Sequence, residues 1–248
     1  MDAFVVIPAR YFSSRFPGKP LAPLKGKPLL QHVYERAKGA RLAREIIVAT
    51  DDRRILEAAE SFGAKAIMTS GGHPSGTDRV AEAARSVAPE ARIIVNLQGD
   101  EPLIRPEMID DVIMLLEDER ADIGTLVKKI EKEEEFTDAN IVKAVFNGEG
   151  FALYFSRSPV PFHMDRGQGG KGPLKAYKHI GIYAYRKEAL MRLTGLPPTA
   201  LEEAERLEQL RALENGMAIK IKETQYDTIG VDTPEDLLKV EECLNTYS

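Results

Sequence analysis

Two clusters of charged residues along this chain are placed to do chemistry. Residues 8–19 read Pro-Ala-Arg-Tyr-Phe-Ser-Ser-Arg-Phe-Pro-Gly-Lys and follow an apolar, β-branched run, Ala3-Phe4-Val5-Val6-Ile7. From Ala3 to Tyr34 there is no Asp or Glu, yet Arg10, Arg15, Lys19, Lys25 and Lys27 all fall there, in a chain of net charge −5. A basic loop at the carboxyl end of a strand is where α/β proteins bind anions, phosphates above all. Arg10, Arg15 and Lys19, with the close main-chain approach that Gly18 permits, suit the cradling of a triphosphate. An ordinary basic surface loop is the other reading. Neither a Walker A loop nor a Gly-x-Gly-x-x-Gly fingerprint is present. The second cluster is acidic. Asp100 follows the apolar run 92–97 and so sits at a strand's carboxyl end, on the edge that carries the basic loop. It reads as a site acid or as a turn aspartate. Asp232 precedes Thr233-Pro234-Glu235-Asp236, a string with Thr as N-cap, Pro at the first helical position and an acid two residues later. That cap accounts for Thr233 and Asp236 and leaves Asp232 free.

The elements that must position these groups alternate. Strands are predicted at 3–7 (closed by Pro8), 45–50, 65–68 and 92–97, with helices at 28–40, 52–62, 78–86 and 106–116 between and after them. Such alternation predicts an α/β fold: three layers, with a mostly parallel twisted sheet covered by helices on both faces, Rossmann-like. After residue 140 the pattern changes. Strands at 141–146 and 152–155 flank a turn at 147–150. A Gly-rich stretch, 163–173, reads as a mobile loop. A strand at 178–186, a helix at 201–215 ended by Gly216, a strand at 218–223 and a helix at 234–244 complete the chain. Glu131–Glu135 reads as a solvated helix face.

At 248 residues with 43% hydrophobic and 29% charged residues, the chain can bury a core and stay soluble. No apolar run approaches the ~18 residues of a membrane span, and no basic n-region opens the chain, so neither membrane insertion nor a signal peptide is expected. The single cysteine, Cys243, excludes a disulfide framework and a Cys-based metal site. These features predict a cytoplasmic protein. The acidic balance argues against a nucleic-acid binder but leaves room for a small anion held by a local basic cluster.

Pro8-Ala9-Arg10-Tyr11, Ser14-Arg15 and Pro17-Gly18-Lys19-Pro20-Leu21 resemble the opening of the sugar-activating cytidylyltransferases, above all the 3-deoxy-manno-octulosonate cytidylyltransferase (CMP-KDO synthetase) family. The resemblance continues in order through Ile47–Asp51, Ser75-Gly76-Thr77-Asp78-Arg79, Asn96–Pro102, Tyr154–Arg157, His179–Tyr183, Leu207–Arg211 and Gly230–Asp236. Phe16 stands where that family usually has Leu, a change expected to matter for packing and not for phosphate contact. The resemblance implies a nucleotide-diphospho-sugar-transferase-like fold in one cytidylyltransferase domain, 1–248. Within it, 1–140 and 217–248 would form the nucleotide-binding core, and about 150–215 a smaller antiparallel portion for sugar binding and homodimerisation.

The resemblance also implies an activity: transfer of CMP from CTP to the anomeric hydroxyl of an acidic 2-keto sugar, with pyrophosphate leaving. Asp100 and Asp232 would hold Mg2+. Pro8, Ala9, Arg10, Ser14, Arg15, Lys19, Ser75, Gly76, Thr77, Arg79, Gln98 and Asp100 would line the CTP site. Arg10, Arg15 and Lys19 would stabilise developing charge with the two aspartates. Ser75-Gly76-Thr77 reads equally well as a helix N-cap segment.

On the acceptor side, strand alternation puts Ile180, Ile182 and Ala184 on one face and His179, Gly181, Tyr183 and Tyr185 on the other. The second face suits a sugar or a subunit contact. Arg157 suits a bidentate grip on the sugar carboxylate. Gln98, Glu208 and Gln209 suit its hydroxyls, although the last two also fit a solvated helix face. A related acid sugar as acceptor, or a non-catalytic nucleotide-sugar sensor, are the competing functions.

Overall fold

The computed structural model describes residues 2–12, 15–87, 89–164 and 175–246. The first strand, β1 (Ala3–Ala9), is buried at every position. Its odd residues, Ala3, Val5, Ile7 and Ala9, pack against one helical layer, and Phe4 and Val6 pack against the other. A strand covered on both faces must read as a continuous apolar run, as this one does. Pro8 does not close it. β1 pairs in parallel with β4 (Ala43–Thr50) as far as Ala9–Thr50, whereas on its other side pairing with β6 (Ile93–Asn96) stops at Val6. The missing amide hydrogen of Pro8 therefore falls where one neighbour has already left.

A two-stranded ribbon, β2 (Pro23–Leu24) and β3 (Lys27–Pro28), leads into α1 (Leu29–Ala37). Then come α2 (Arg53–Ser61), β5 (Lys65–Met68), α3 (Gly76–Val87), which starts two residues ahead of the predicted helix, and α4 (Pro106–Met114). Next are β7 (Ile123–Lys129), α5 (Glu133–Thr137), β8 (Lys143–Phe146), β9 (Ala152–Ser156) and β10 (Tyr177–Arg186). The chain ends with α6 (Lys187–Thr194), α7 (Ala200–Glu205), α8 (Gln209–Glu214), β11 (Ile219–Glu223) and α9 (Pro234–Thr246). The main sheet runs β11-β7-β10-β6-β1-β4-β5, all in one direction except β10, and β8 and β9 extend from β10 as an antiparallel arm. α1, α2 and α4 cover one face, and α3, α6 and α8 the other.

The structure departs from or adds to the sequence reading at three elements. β7, a central strand, is unmarked in the sequence because Gly124, Thr125 and two lysines interrupt its apolar run. The predicted helix 201–215 is two helices, broken where Arg206 adopts a left-handed backbone (φ 56°). β10 carries a bulge: Ile180 faces Leu126 but Tyr183 faces Thr125, so Gly181 and Ile182 are extra residues. The run 131–135 is solvated as predicted, exposed at 131–134 where α5 begins, with Glu135 drawn in to pair with Lys178 at 2.6 Å. The predicted loop 163–173 lies, beyond its first two residues, outside the described residues.

Candidate active site

The carboxyl ends of β1 and β6 open onto a cavity of about 400 Å³. Pro8, Ala9, Arg10, Arg15 and Lys19 line it from the basic loop; Gly76 and Arg79 line it from α3, and Gln98, Gly99 and Asp100 from the segment after β6. Asp232, Phe12 and Pro20 complete it. The loop's fold explains Gly18. Its backbone (φ 74°) lies in the region that disfavours side chains, its N–H donates to the Tyr11 carbonyl at 2.8 Å, and a Cβ there would lie 3.2 Å from the Tyr11 ring. The Arg54 guanidinium stacks on that ring at 3.3 Å and is gripped by Asp52. Gly18 thus turns the chain into a short 3₁₀ turn, Lys19–Leu21, and delivers Lys19 to the acids. Phe16 packs into the small cluster of Leu24, Leu29, Val231 and Val240, a packing role as the sequence suggested.

The acids converge. Lys19 Nζ lies 2.6 Å from Asp100 Oδ2 and 3.2 Å from Asp232 Oδ1, and Arg15 Nη2 lies 3.1 Å from Asp232 Oδ2. The Val231 N–H donates to the Asp100 carbonyl at 2.9 Å, which brings the two distant segments together. The predicted cap is present: Asp236 accepts from the Thr233 N–H and hydroxyl, and the Thr233 hydroxyl oxygen accepts from the Asp236 N–H. Asp232 is therefore free of capping duty. Glu101, which the sequence reading passed over, is half-buried beside the pair, with its Oε2 buried and unpartnered. Burial pushes its carboxyl up to about 8, with Asp100 and then Asp232 adding to the effect.

The donor set fits Mg2+, which takes one or two carboxylates alongside phosphate and water oxygens. Asp100 and Asp232 aim at one position that a cation, the Lys19 ammonium, already occupies. Among the described residues no cage of three or more His, Cys, Asp or Glu is present. At about two-thirds exposure for Arg15 and half for Asp232, their pair contributes about 1 kcal/mol or less, so Asp232 can exchange partners readily.

Three predicted nucleotide contacts hold partners within the protein, and a fourth is not described. Ser14 lies outside the described residues. Ser75 caps α3, exchanging hydrogen bonds with Asp78. The Thr77 hydroxyl is committed to Glu208 and Asn96. Arg79 is 2% exposed; its guanidinium pairs with Asp51 at 2.8 Å and reaches Thr69 and the Ser70 carbonyl, so it supports the cavity wall through α3.

On the face predicted to receive the acceptor, β10 presents the expected alternation. Ile180, Ile182 and Ala184 enter the α1–α4 layer. Phe155, His179, Tyr183 and Tyr185 form a ladder of rings 5.2, 5.2 and 5.8 Å apart. This face is more closed than predicted, since Tyr185 is 3% exposed. Burial holds both tyrosine hydroxyls well above the ordinary phenol range, so they remain donors; Glu208 adds to the shift in each. Burial pushes His179 down to about 3. Gln209 is buried with Nε2 unpartnered.

Arg157 does not present a free fork. Its Nε donates to the Glu205 carbonyl at 2.7 Å and Nη1 to the Ala139 carbonyl at 3.0 Å, and its main-chain N–H donates to Glu205 Oε2. It joins β9 to α7, a duty no local sequence signal announces.

The cytidylyltransferase family profile matches residues 4–221. A 3-deoxy-manno-octulosonate cytidylyltransferase of Thermodesulfovibrio yellowstonii is 59% identical over 257 aligned residues, covering 100% of both chains. One of Geobacter sulfurreducens is 53% identical over 251, covering 98% of this chain and 100% of that relative. Among solved structures, CMP:2-keto-3-deoxy-manno-octonic acid synthetase complexed with CTP superposes with a TM-score of 0.93 at 44% identity, covering 100% of both chains. A cytidylyltransferase from Leptospira borgpetersenii shares the fold, with a TM-score of 0.66 at 19% identity.

Proposed function

The chain belongs to the cytidylyltransferase family, and we propose that it transfers CMP from CTP to the anomeric hydroxyl of 3-deoxy-manno-octulosonate, releasing pyrophosphate, for lipopolysaccharide biosynthesis. The observation that carries this is the convergence of Asp100 and Asp232 on Lys19 in the lining of a cavity of about 400 Å³ that Arg10 and Arg15 also line. The sugar hydroxyl gives up its proton to solvent as its oxygen bonds to the α-phosphorus, and the bond from that phosphorus to the β-phosphate bridge breaks, so that pyrophosphate leaves. Arg10, Arg15 and Lys19 offset the charge that builds on the phosphate oxygens. Asp100 and Asp232 are the residues that would hold Mg2+, which supplies charge neutralisation and in-line orientation. No covalent enzyme intermediate is required. Gln98 and Gly76 wall the nucleotide side, and His179, Tyr183, Tyr185, Glu208 and Gln209 surround the acceptor.

We place the dimer contact of a homodimer in residues 150–215, where Leu153, Phe162 and Met164 stand exposed. We place the reaction in the cytoplasm; no helix among the described residues is long and apolar enough to cross a membrane. The test is pyrophosphate release from CTP with 3-deoxy-manno-octulosonate, its amino-substituted analogue and a sialic-type acid, each titrated with magnesium. Turnover that is fastest with 3-deoxy-manno-octulosonate and absent without a divalent cation is expected. Preference for another acceptor reassigns the substrate, and no release with any acceptor refutes the enzyme.

A further inference from the structure

Asn96 closes β6 with an amide at the end of an apolar strand and is 1% exposed. A buried amide needs partners at both ends. Its Nδ2 donates to Thr77 Oγ1 at 3.3 Å, and its Oδ1 accepts from Gln98 Nε2 at 2.9 Å. Thr77, 5% exposed in the first turn of α3, donates its hydroxyl to Glu208 Oε2. These four side chains form one unbroken path from the wall of the nucleotide cavity to the N-cap of α8.

The path has a direction. A carboxylate only accepts, so the single hydroxyl proton of Thr77 goes to Glu208. Thr77 Oγ1 then offers Asn96 only lone pairs, and Asn96 must turn its Nδ2 toward it. That leaves Asn96 Oδ1 facing Gln98, which answers with Nε2. Gln98 Oε1 is the end left over; it lies beside Gly76, 3.7 Å from where a Cβ would stand, at the cavity wall. Hydrogen bonds aligned donor to acceptor also polarise one another.

We infer that Asn96 and Thr77 are positioning residues that fix the amide of Gln98 at the nucleotide cavity and the carboxylate of Glu208 at the acceptor face as one hydrogen-bonded unit. The unit presents Gln98 Oε1 to the ligand, so it selects an N–H or O–H donor there. It also ties the acceptor-side carboxylate to α3, the helix whose Gly76 lines the nucleotide cavity. The kinetic readout of this inference rests on the reaction proposed above.

Three variants and a double-mutant cycle test it. Thr77→Val removes the hydroxyl and is expected to raise KM for 3-deoxy-manno-octulosonate about tenfold or more, and KM for CTP by a smaller factor, since Asn96 loses the acceptor that orients it toward Gln98. Thr77→Ser restores the donor and is expected to restore both. Asn96→Asp can only accept; it draws the Thr77 hydroxyl away from Glu208 and should repeat the acceptor defect. A purely structural role would instead lower the active fraction, scaling kcat and leaving both KM values unmoved, and that pattern would overturn the inference.

In the cycle, Thr77→Val should add nothing to the acceptor KM in a Glu208→Ala background, which lacks the acceptor oxygen, if Thr77 acts through Glu208. The same cycle read on thermal unfolding needs no substrate. Additive effects in both readouts overturn the inference while leaving the reaction standing. A wild-type protein that releases no pyrophosphate overturns the reaction, and the unfolding cycle then decides the unit by itself.

Discussion

Lys19 puts one ammonium between two carboxylates, at 2.6 and 3.2 Å, with the buried carboxyl of Glu101 behind them. In the free protein it therefore competes for the position the two aspartates would offer a divalent cation. Lys19→Met is expected to lower kcat/KM for CTP by about a hundredfold or more. The same variant should show a larger rise in Tm with MgCl2 alone than the wild type, because the competing ammonium is gone. A Tm response no larger than the wild type's would mean that Asp100 and Asp232 are not aimed at the metal.

At the acceptor face, Thr125 Oγ1 donates to the Ile182 carbonyl at 2.8 Å, so His179 Nε2, 3.0 Å from the same oxygen, carries the hydrogen. The pKa of His179 is about 3 in the fold, against about 6.5 in an unfolded chain. A lowered folded pKa gives stability that is complete above about pH 6.5 and is lost as pH falls from there toward 3. By pH 5 the loss from this group is about 2 kcal/mol. Urea unfolding of wild type and His179→Asn at pH 7.5 and 5 should show a shallower pH dependence in the variant; equal dependence would show that the imidazole is not held neutral.

Elements carry the next layer, and the bulge in β10 is the informative one. Gly181 and Ile182 are extra residues against β7, and a Cβ built at Gly181 meets nothing within 4 Å. The gap is open space beside His179 and Tyr183, on the face proposed to receive the sugar. Gly181→Val should change stability by less than about 1 kcal/mol and leave KM for CTP unchanged while raising KM for the acceptor. A parallel rise in both KM values would show that the bulge shapes the nucleotide side instead.

What the sequence disclosed at this scale follows from how each element is buried. β1 was legible because both its faces are covered, and Asp232 because the Thr233–Asp236 cap explained its neighbours and not itself. β7 was hidden by Gly124, Thr125 and two lysines, and the break at Arg206 by a left-handed residue that no glycine marks. Arg157 was misread because an arginine that clamps main-chain carbonyls looks, in sequence, like one that grips a ligand. Asn96 left a signal: an amide ending an Ile-Ile-Val run must find partners indoors.

Across the whole molecule, one sheet would carry both of the proposed sites. Every residue lining the nucleotide cavity comes from 8–100 or from Asp232, whereas the aromatic ladder, Glu208 and Gln209 come from 155–209. β10 joins the two, pairing with β6 on one side and with β7 and β8 on the other. Leu153, Phe162 and Met164, 62%, 77% and 72% exposed, all lie on the second portion, away from the cavity lining. Phe12, Met68, Met114 and Leu238 are exposed elsewhere, but three large apolar side chains this exposed within 153–164 suit a covered face better than a wet one. Light scattering is expected to give a dimer for the wild type and a monomer for Leu153→Glu/Phe162→Glu. Because no cavity-lining residue comes from that portion, the monomer should keep CTP binding within about twofold of the wild type, while acceptor turnover falls as β9 and β10 lose their support. A wild-type monomer, or a double variant that stays dimeric, would place the contact elsewhere or remove it. A monomer that loses CTP binding as well would mean that the two portions of the sheet do not work as separable sites.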